Sequence, residues 1–301
     1  MYKNLAFQTP ANASGWKRWL IYSALARLIL FALLFVAAAF LTGMALHLLG
    51  WSPSSGNPNI KGWAQLIIRA LPAVIAYLIL TRVIERRWPT ELAWRKLPAH
   101  FIGGVLLGMA LLSVVIGILW LAGSYRVLGT NAQVPWLESI LMFGLGAGIS
   151  EEIMFRGALF RIVEESLGTW LAVLISALAF GAIHLGNPNA TLWSGLAIAI
   201  EAGVLFGLVY HVTRSLWLCM GLHAAWNVME GPVFGTPVSG LPPHGWLQAE
   251  LTGPNWLSGG TFGPEASLIT PLCCLALAGV FLFIALRRNS IVPPFWKRRP
   301  G

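Results

Sequence analysis

The chain has 301 residues, 57% of them hydrophobic and 10% charged, with a net charge of +9. A soluble domain carries about 25% charged residues, so the composition excludes an ordinary water-soluble enzyme. The basic residues lie beside apolar runs instead of forming one patch, which argues against nucleic acid as a partner.

The first apolar stretch, 19–49, is too long for a signal peptide and lacks a small-residue cleavage site, so it is expected to stay in the membrane. Further helices are expected at 63–84, 101–122, 135–164, 170–187, 191–212, 215–231 and 267–286. Several reach the ~20 residues a membrane-crossing helix needs. The stretch 123–134 is short and mixed, and 186–190, Gly-Asn-Pro-Asn-Ala, is a turn by composition. In 231–266, fourteen of thirty-six residues are Gly or Pro and none is Lys or Arg. That composition reads as an irregular external loop, or as a lid or re-entrant segment over a cavity. The short alternating segments of a β-barrel are absent. So is the internal repeat of an inverted-repeat transporter.

Basic clusters follow the second and the last helix: Arg82, Arg86, Arg87, Arg95 and Lys96, then Arg287, Arg288, Lys297, Arg298 and Arg299. With both termini cytoplasmic, fifteen of the twenty basic residues face the cytoplasm. Lys61 and Arg126 fall outside, and Arg27, Arg69 and Arg156 fall within spans. The expected architecture is all-α: a polytopic integral membrane bundle of about eight transmembrane helices in the cell membrane. Its parts are 1–134 with three helices and a basic loop, a core of four helices at 135–230, the Gly/Pro-rich loop 231–266, and 267–301 with the last helix and a basic tail. Cys219, Cys273 and Cys274 lie in apolar runs without metal-ligand spacing and read as core or lipid-facing residues.

An ionisable residue inside a span is costly and needs a partner or a function. The spans hold Glu151, Glu152, Arg156, His184, Glu201, His223 and Asn227. Glu152 and Arg156 are four apart and share a helix face. Glu151 points about 140° round the helix from Arg156, so Glu152 can be neutralised locally while Glu151 faces elsewhere. His223 and Asn227 lie one turn apart on one face. By rise per residue, Glu151, His184, Asn227 and His223 sit about 20, 21, 18 and 12 Å from the inner ends of their spans, depths at which adjacent helices can bring them together. Glu201 reads as a counter-ion for Arg27 or Arg69, or as part of a proton relay.

Three ordered motifs carry a resemblance: Glu151-Glu152-x-x-x-Arg156, Phe180-x-x-x-His184 and His223-x-x-x-Asn227. Over roughly 135–230 the chain resembles the CAAX protease and bacteriocin-processing family of intramembrane endopeptidases. That resemblance implies cleavage of a membrane-associated protein or peptide, lipidated or not, in contact with the bilayer.

The residue types suit that chemistry. Peptide hydrolysis needs an activated water and a stabiliser for the tetrahedral oxyanion. Glu151 is the candidate general base, and His184 can hold the same water or shuttle its proton. His223 and Asn227 present N–H donors suited to an oxyanion hole, while Glu152 and Arg156 hold the helix and the local field. The resemblance implies the same division of roles. The chain has no aspartate, which removes aspartyl proteases and a Ser-His-Asp triad, and it has no GxSxG elbow. The rival mechanism is zinc held by Glu151, His184 and His223. No HExxH spacing demands it and Asn227 would be a poor zinc ligand, so the metal-free, cofactor-free reading is preferred. A proton-coupled transporter using Glu151, Glu201, His184 and His223, or a non-catalytic scaffold or immunity protein, is the alternative.

The orientation is directly testable. Single-cysteine labelling in intact cells is expected to find both termini protected and 231–266 accessible from outside. A C-terminal tag reached only from outside would refute the arrangement.

Overall fold

Ser23 moves the start of the expected first helix, 19–49, inward. Its backbone is extended and its Oγ accepts the Ala26 N–H at 3.2 Å, so a short helix Gly15–Leu20 stops and α1 begins at Ala24. In this computed structural model, residues 5–242 and 244–298 are described; Arg299 of the C-terminal basic cluster lies outside them. The helices are α1 (Ala24–Leu48), α2 (Pro58–Ile84), α3 (Leu97–Leu121), α4 (136–167), α5 (Thr169–His184), α6 (Leu192–Thr213), α7 (216–233) and α8 (Ile269–Arg287). They fall where the eight sequence segments lie, with ends moved by up to several residues. Asn57 caps α2 ahead of Pro58, Thr191 and Ser194 cap α6 reciprocally, and Ser215 caps α7.

By length and composition, five helices are apolar enough to cross a membrane: α1, α2, α3 with the turns preceding it, α6 and α8. The three that fall outside this class carry the polar motifs. α4 contains Glu151, Glu152 and Arg156, α5 has sixteen residues, and α7 is the innermost helix. On Leu216–Val228, ten of thirteen residues are buried, so His223 and Asn227 are surrounded by protein and not by lipid. α1 shows the opposite pattern: Leu25, Leu33, Val36 and Phe40 are exposed apolar side chains on a lipid-facing surface.

Glycines let the inner helices meet. A Cβ on Gly221 of α7 would stand 2.2 Å from the Phe101 carbonyl oxygen of α3, and one on Gly104 would stand 2.2 Å from that of Leu218. Gly181 of α5 touches Gly195 of α6 in the same way. Without a hydrophobic driving force between helices in lipid, such close backbone contact is what holds them.

One end of the bundle is an ion-pair lattice. Arg27 Nη1 reaches Glu85 Oε1 at 2.9 Å and Glu165 Oε2 at 2.7 Å. Arg161 Nη1 meets the same two residues at 2.9 and 3.0 Å, and Arg87 adds Glu85 and Glu91. Burial alone would raise the Glu85 carboxyl; the guanidiniums of Arg161, Arg87 and Arg27 outweigh it and hold its pKa below the usual carboxylate range. Arg27 therefore has its own acidic partners, and Glu201 is not its counter-ion.

The other end carries 231–266, which is more ordered than its composition foretells. A strand β1 (Tyr125–Thr130) from the mixed stretch pairs antiparallel with β2 (Leu247–Leu251). Tyr125 Oη donates to the Phe234 carbonyl at 2.8 Å, and Ser124 Oγ to that of Thr252 at 2.7 Å. Asn187 Nδ2 donates to the Ser239 carbonyl at 3.1 Å, and Gly240, at φ +82°, packs on Pro188. The segment is thereby drawn over the ends of α5 and α6.

Gly221→Val places side-chain atoms into the α3 backbone. Overpacking of this kind costs about 1–3 kcal/mol. Thermal unfolding in detergent is expected to show a clearly lowered midpoint, and a wild-type midpoint would contradict the packing.

Candidate active site

The site is built where α4, α5 and α7 converge. Wide π turns interrupt the α-helical winding at Ile140–Gly146 and Ile153–Phe160 in α4, Ala199–Leu205 in α6 and Met229–Val233 in α7. Such turns recur at functional sites because they re-aim side chains. Glycine again sets the spacing: Gly148, one turn before Glu152, lies against the Met220 carbonyl of α7.

Glu152 is fully buried. Its Oε1 accepts from Arg156 Nη1 at 2.9 Å and from His223 Nδ1 at 2.8 Å. Arg156 Nη2 donates to the Ala202 carbonyl of α6, and its guanidinium lies 4.9 Å from the centre of the Phe180 ring and 5.1 Å from that of Phe206. One carboxylate thus ties α4 to α7, and one guanidinium ties α4 to α6. The expected Glu152–Arg156 pair forms, and a second partner, His223, joins it.

Glu151 points away from that pair into a cavity of about 320 Å³. Its Oε2 has no hydrogen-bond partner and lies 3.9 Å from His223 Nε2, beyond direct hydrogen bonding. His184 Nδ1 bonds the Phe180 carbonyl at 2.8 Å, which makes Nδ1 the protonated nitrogen and leaves Nε2 as an acceptor. Asn227 Nδ2 donates one hydrogen to the Phe143 carbonyl at 2.9 Å and keeps a second. Glu151, His184, His223 and Asn227 all line the cavity.

One detail sharpens the sequence reading and another departs from it. His223 has one ring nitrogen, Nε2, left to face the cavity. Nδ1–H is committed to Glu152, so Nε2 donates only when the ring is doubly protonated. Glu201 is no counter-ion for Arg69 either: the charged neighbour of Arg69 is Glu151, and that of Glu201 is another carboxylate, Glu265. Arg69, Ser239 and Glu265 also line the cavity, with Glu230 buried nearby. Sequence reasoning missed these last three. Glu230 had a signal, lying three residues beyond Asn227 on the same helix. Glu265 and Ser239 lay in a segment read as loop.

As a metal centre the donor set does not fit. Among the described residues, no three His, Cys, Asp or Glu side chains converge as ligands must.

Residues 133–229 match the Rce1-like family, described as type II CAAX prenyl endopeptidase Rce1-like. The stretch contains all six polar motif residues. The match covers that segment alone and agrees with the resemblance to the CAAX protease and bacteriocin-processing family carried by the three motifs. The chain is also similar to a Bacillus subtilis (strain 168) protein named "Putative membrane peptidase YdiL", 25% identical over 202 residues that cover 62% of this chain and 78% of the relative. The family segment ends at residue 229, so Glu230, Ser239 and Glu265, on or near the cavity wall, fall outside it.

Arg156→Ala would strand Glu152 with a histidine alone, and breaking a buried pair costs about 3–5 kcal/mol. Yield of monodisperse protein and thermal midpoint are both expected to fall. Arg156→Lys is expected to recover part of the loss, because lysine restores charge without the two-pronged geometry that also reaches Ala202. Full stability in the alanine variant would show that the pair is dispensable.

Proposed function

We propose that the chain is an intramembrane endopeptidase in which Glu151 activates water against a peptide bond. The observation that carries this reading is the geometry around Glu151. An unpartnered carboxylate oxygen faces His223 Nε2 at 3.9 Å inside a cavity shared with His184 and Asn227. Two groups at that separation can both bond one water lying to the side of the line between them.

The steps follow from the protonation pattern. His184 Nε2 accepts one hydrogen of the water and holds it, while Glu151 takes the other as oxygen attacks the carbonyl carbon. Charge then develops on the carbonyl oxygen. The second Asn227 N–H and the Nε2–H of doubly protonated His223 stabilise it. Glu152 favours that imidazolium by accepting from Nδ1. When the C–N bond breaks, the departing amine takes the proton from Glu151, which restores the carboxylate. The new carboxyl product leaves, and no group is consumed.

The substrate in this reading is a membrane-associated protein or peptide. The family description names prenyl endopeptidases, so a lipidated C-terminal segment is the corresponding class. The cell membrane, with cytoplasmic termini, is the proposed location.

Glu151→Gln keeps shape and hydrogen bonding but cannot take the proton. Cleavage of a verified peptide is expected to fall by about 10²–10⁴-fold, with insertion and thermal midpoint retained. Asn227→Ala is expected to slow it by roughly 10²–10³-fold through one oxyanion donor. Metal-stripped protein is expected to keep cutting. Cleavage at the wild-type rate by the glutamine variant would end the assignment of Glu151.

A further inference from the structure

Most buried carboxylates in this bundle meet an arginine. Glu85, Glu91, Glu152, Glu164 and Glu165 each lie in a salt bridge with at least one. Glu201, Glu230 and Glu265 do not: they are 4%, 0% and 5% exposed, and their charged neighbours include one another. No Lys or Arg pairs with them among the described residues. An isolated buried carboxylate is costly enough to need compensation.

Two of the three face the catalytic cavity. Glu201 comes from the wide turn of α6 and Glu265 from the segment before α8. Glu201 Oε2 is buried and has no hydrogen-bond partner. Glu265 Oε2 is fixed by the Ser239 N–H and Oγ, both at 2.7 Å, which aligns that carboxyl, and Trp226 and Glu230 lie against it. Ile198, Leu241 and Cys274 flank the carboxyls with apolar surface. A cationisable neighbour of Glu265 is His184, placed above as the residue that holds the attacking water. The carboxyls are not gathered as metal ligands. Carboxyls without a lysine or arginine partner beside an apolar wall match a side chain with a methylene stem and a cationic head.

We propose that this wall is a specificity subsite that takes a lysine or arginine side chain of the substrate, next to the bond that is cut. The proposal rests on the peptidase reading for its placement. The stem lies along Ile198, Leu241 and Cys274, and the head meets Glu201 and Glu265. Basic residues flanking an apolar segment are common in membrane-anchored proteins, so such a subsite would select cleavage close to the membrane boundary of a substrate. Because Glu265 and Ser239 come from 231–266, the subsite exists only with that segment folded over the cavity.

The test uses the full-length protein in detergent and apolar decapeptides that carry one lysine scanned across every position. Each is paired with a norleucine peptide that keeps the stem and lacks the charge. Binding is measured on the Glu151→Gln protein, so that cleavage does not deplete the peptide. At one or two adjacent positions the lysine peptide is expected to bind at least tenfold tighter than its norleucine partner. Adding Glu201→Gln is expected to cut that advantage below threefold. Adding Glu265→Gln instead is expected to do the same and serves as the check if the first double variant folds poorly. No position with a lysine advantage above threefold overturns the proposal, as does an advantage that survives both substitutions. The wild-type protein is assayed in parallel for cleavage. A lysine preference in binding with no peptide ever cut would sink the peptidase reading and keep the subsite. Cleavage without any lysine preference would do the reverse.

Discussion

A carboxylate buried in an apolar helical bundle must be compensated, and Glu152 is compensated twice through a single oxygen. Arg156 comes from its own helix one turn on; His223 comes from α7. Arg156 then spends its other arm on the Ala202 carbonyl of α6. Three helices are fixed against one another by this arrangement, and the rest of the site inherits its geometry. With Nδ1 of His223 held, Nε2 is the nitrogen left to face the cavity. Glu151, the neighbour that the helical twist turns away, forms no salt bridge with an arginine, although Arg69 lines the same cavity. The bundle thus separates two adjacent glutamates into a bound one and a free one.

The ion-pair lattice at the opposite end of α4 works differently. Arg27, Glu85, Arg87, Glu91, Arg161 and Glu165 pair with one another in a network of ion pairs. A set of this kind is weak evidence of stability, because desolvation offsets most of the Coulombic gain. Its effect is register: α1, α2 and α4 can meet in few other ways without leaving a charge alone. The cavity end has no such network. There Glu151, Glu201 and Glu265 face a space, and the chemistry of that space falls to whatever enters it.

The segment 231–266 decides how enclosed that space is. Its two-stranded ribbon with β1, the Tyr125 bond to Phe234 and the Asn187 bond to Ser239 anchor it on β1 and on the turn after α5. Once anchored, it delivers Val238, Ser239, Leu241 and Glu265 to the cavity wall. The helices that carry the polar motifs thereby receive a cavity wall from another part of the chain. The segment lies beyond the family match.

The sequence by itself determined the helical membrane class, the places of eight helices and the grouping of six polar residues, because hydropathy and helical spacing are local properties. Glu152 with Arg156 and His223 with Asn227 follow from a spacing of four and need no fold to be seen. The tertiary structure alone decided which carboxylates are paired. Arg27 lies 58 residues from Glu85 and 138 from Glu165, and Glu201 meets Glu265 across two helices and a loop. Hydropathy carries no information about such partners. It also hid the order in 231–266, where glycine and proline give the backbone its turns while the hydrogen bonds that fix it come from β1 and the turn after α5. Which ring nitrogen of His223 is left to donate was hidden for the same reason: it depends on a glutamate 71 residues away, brought into contact only when α4 and α7 pack.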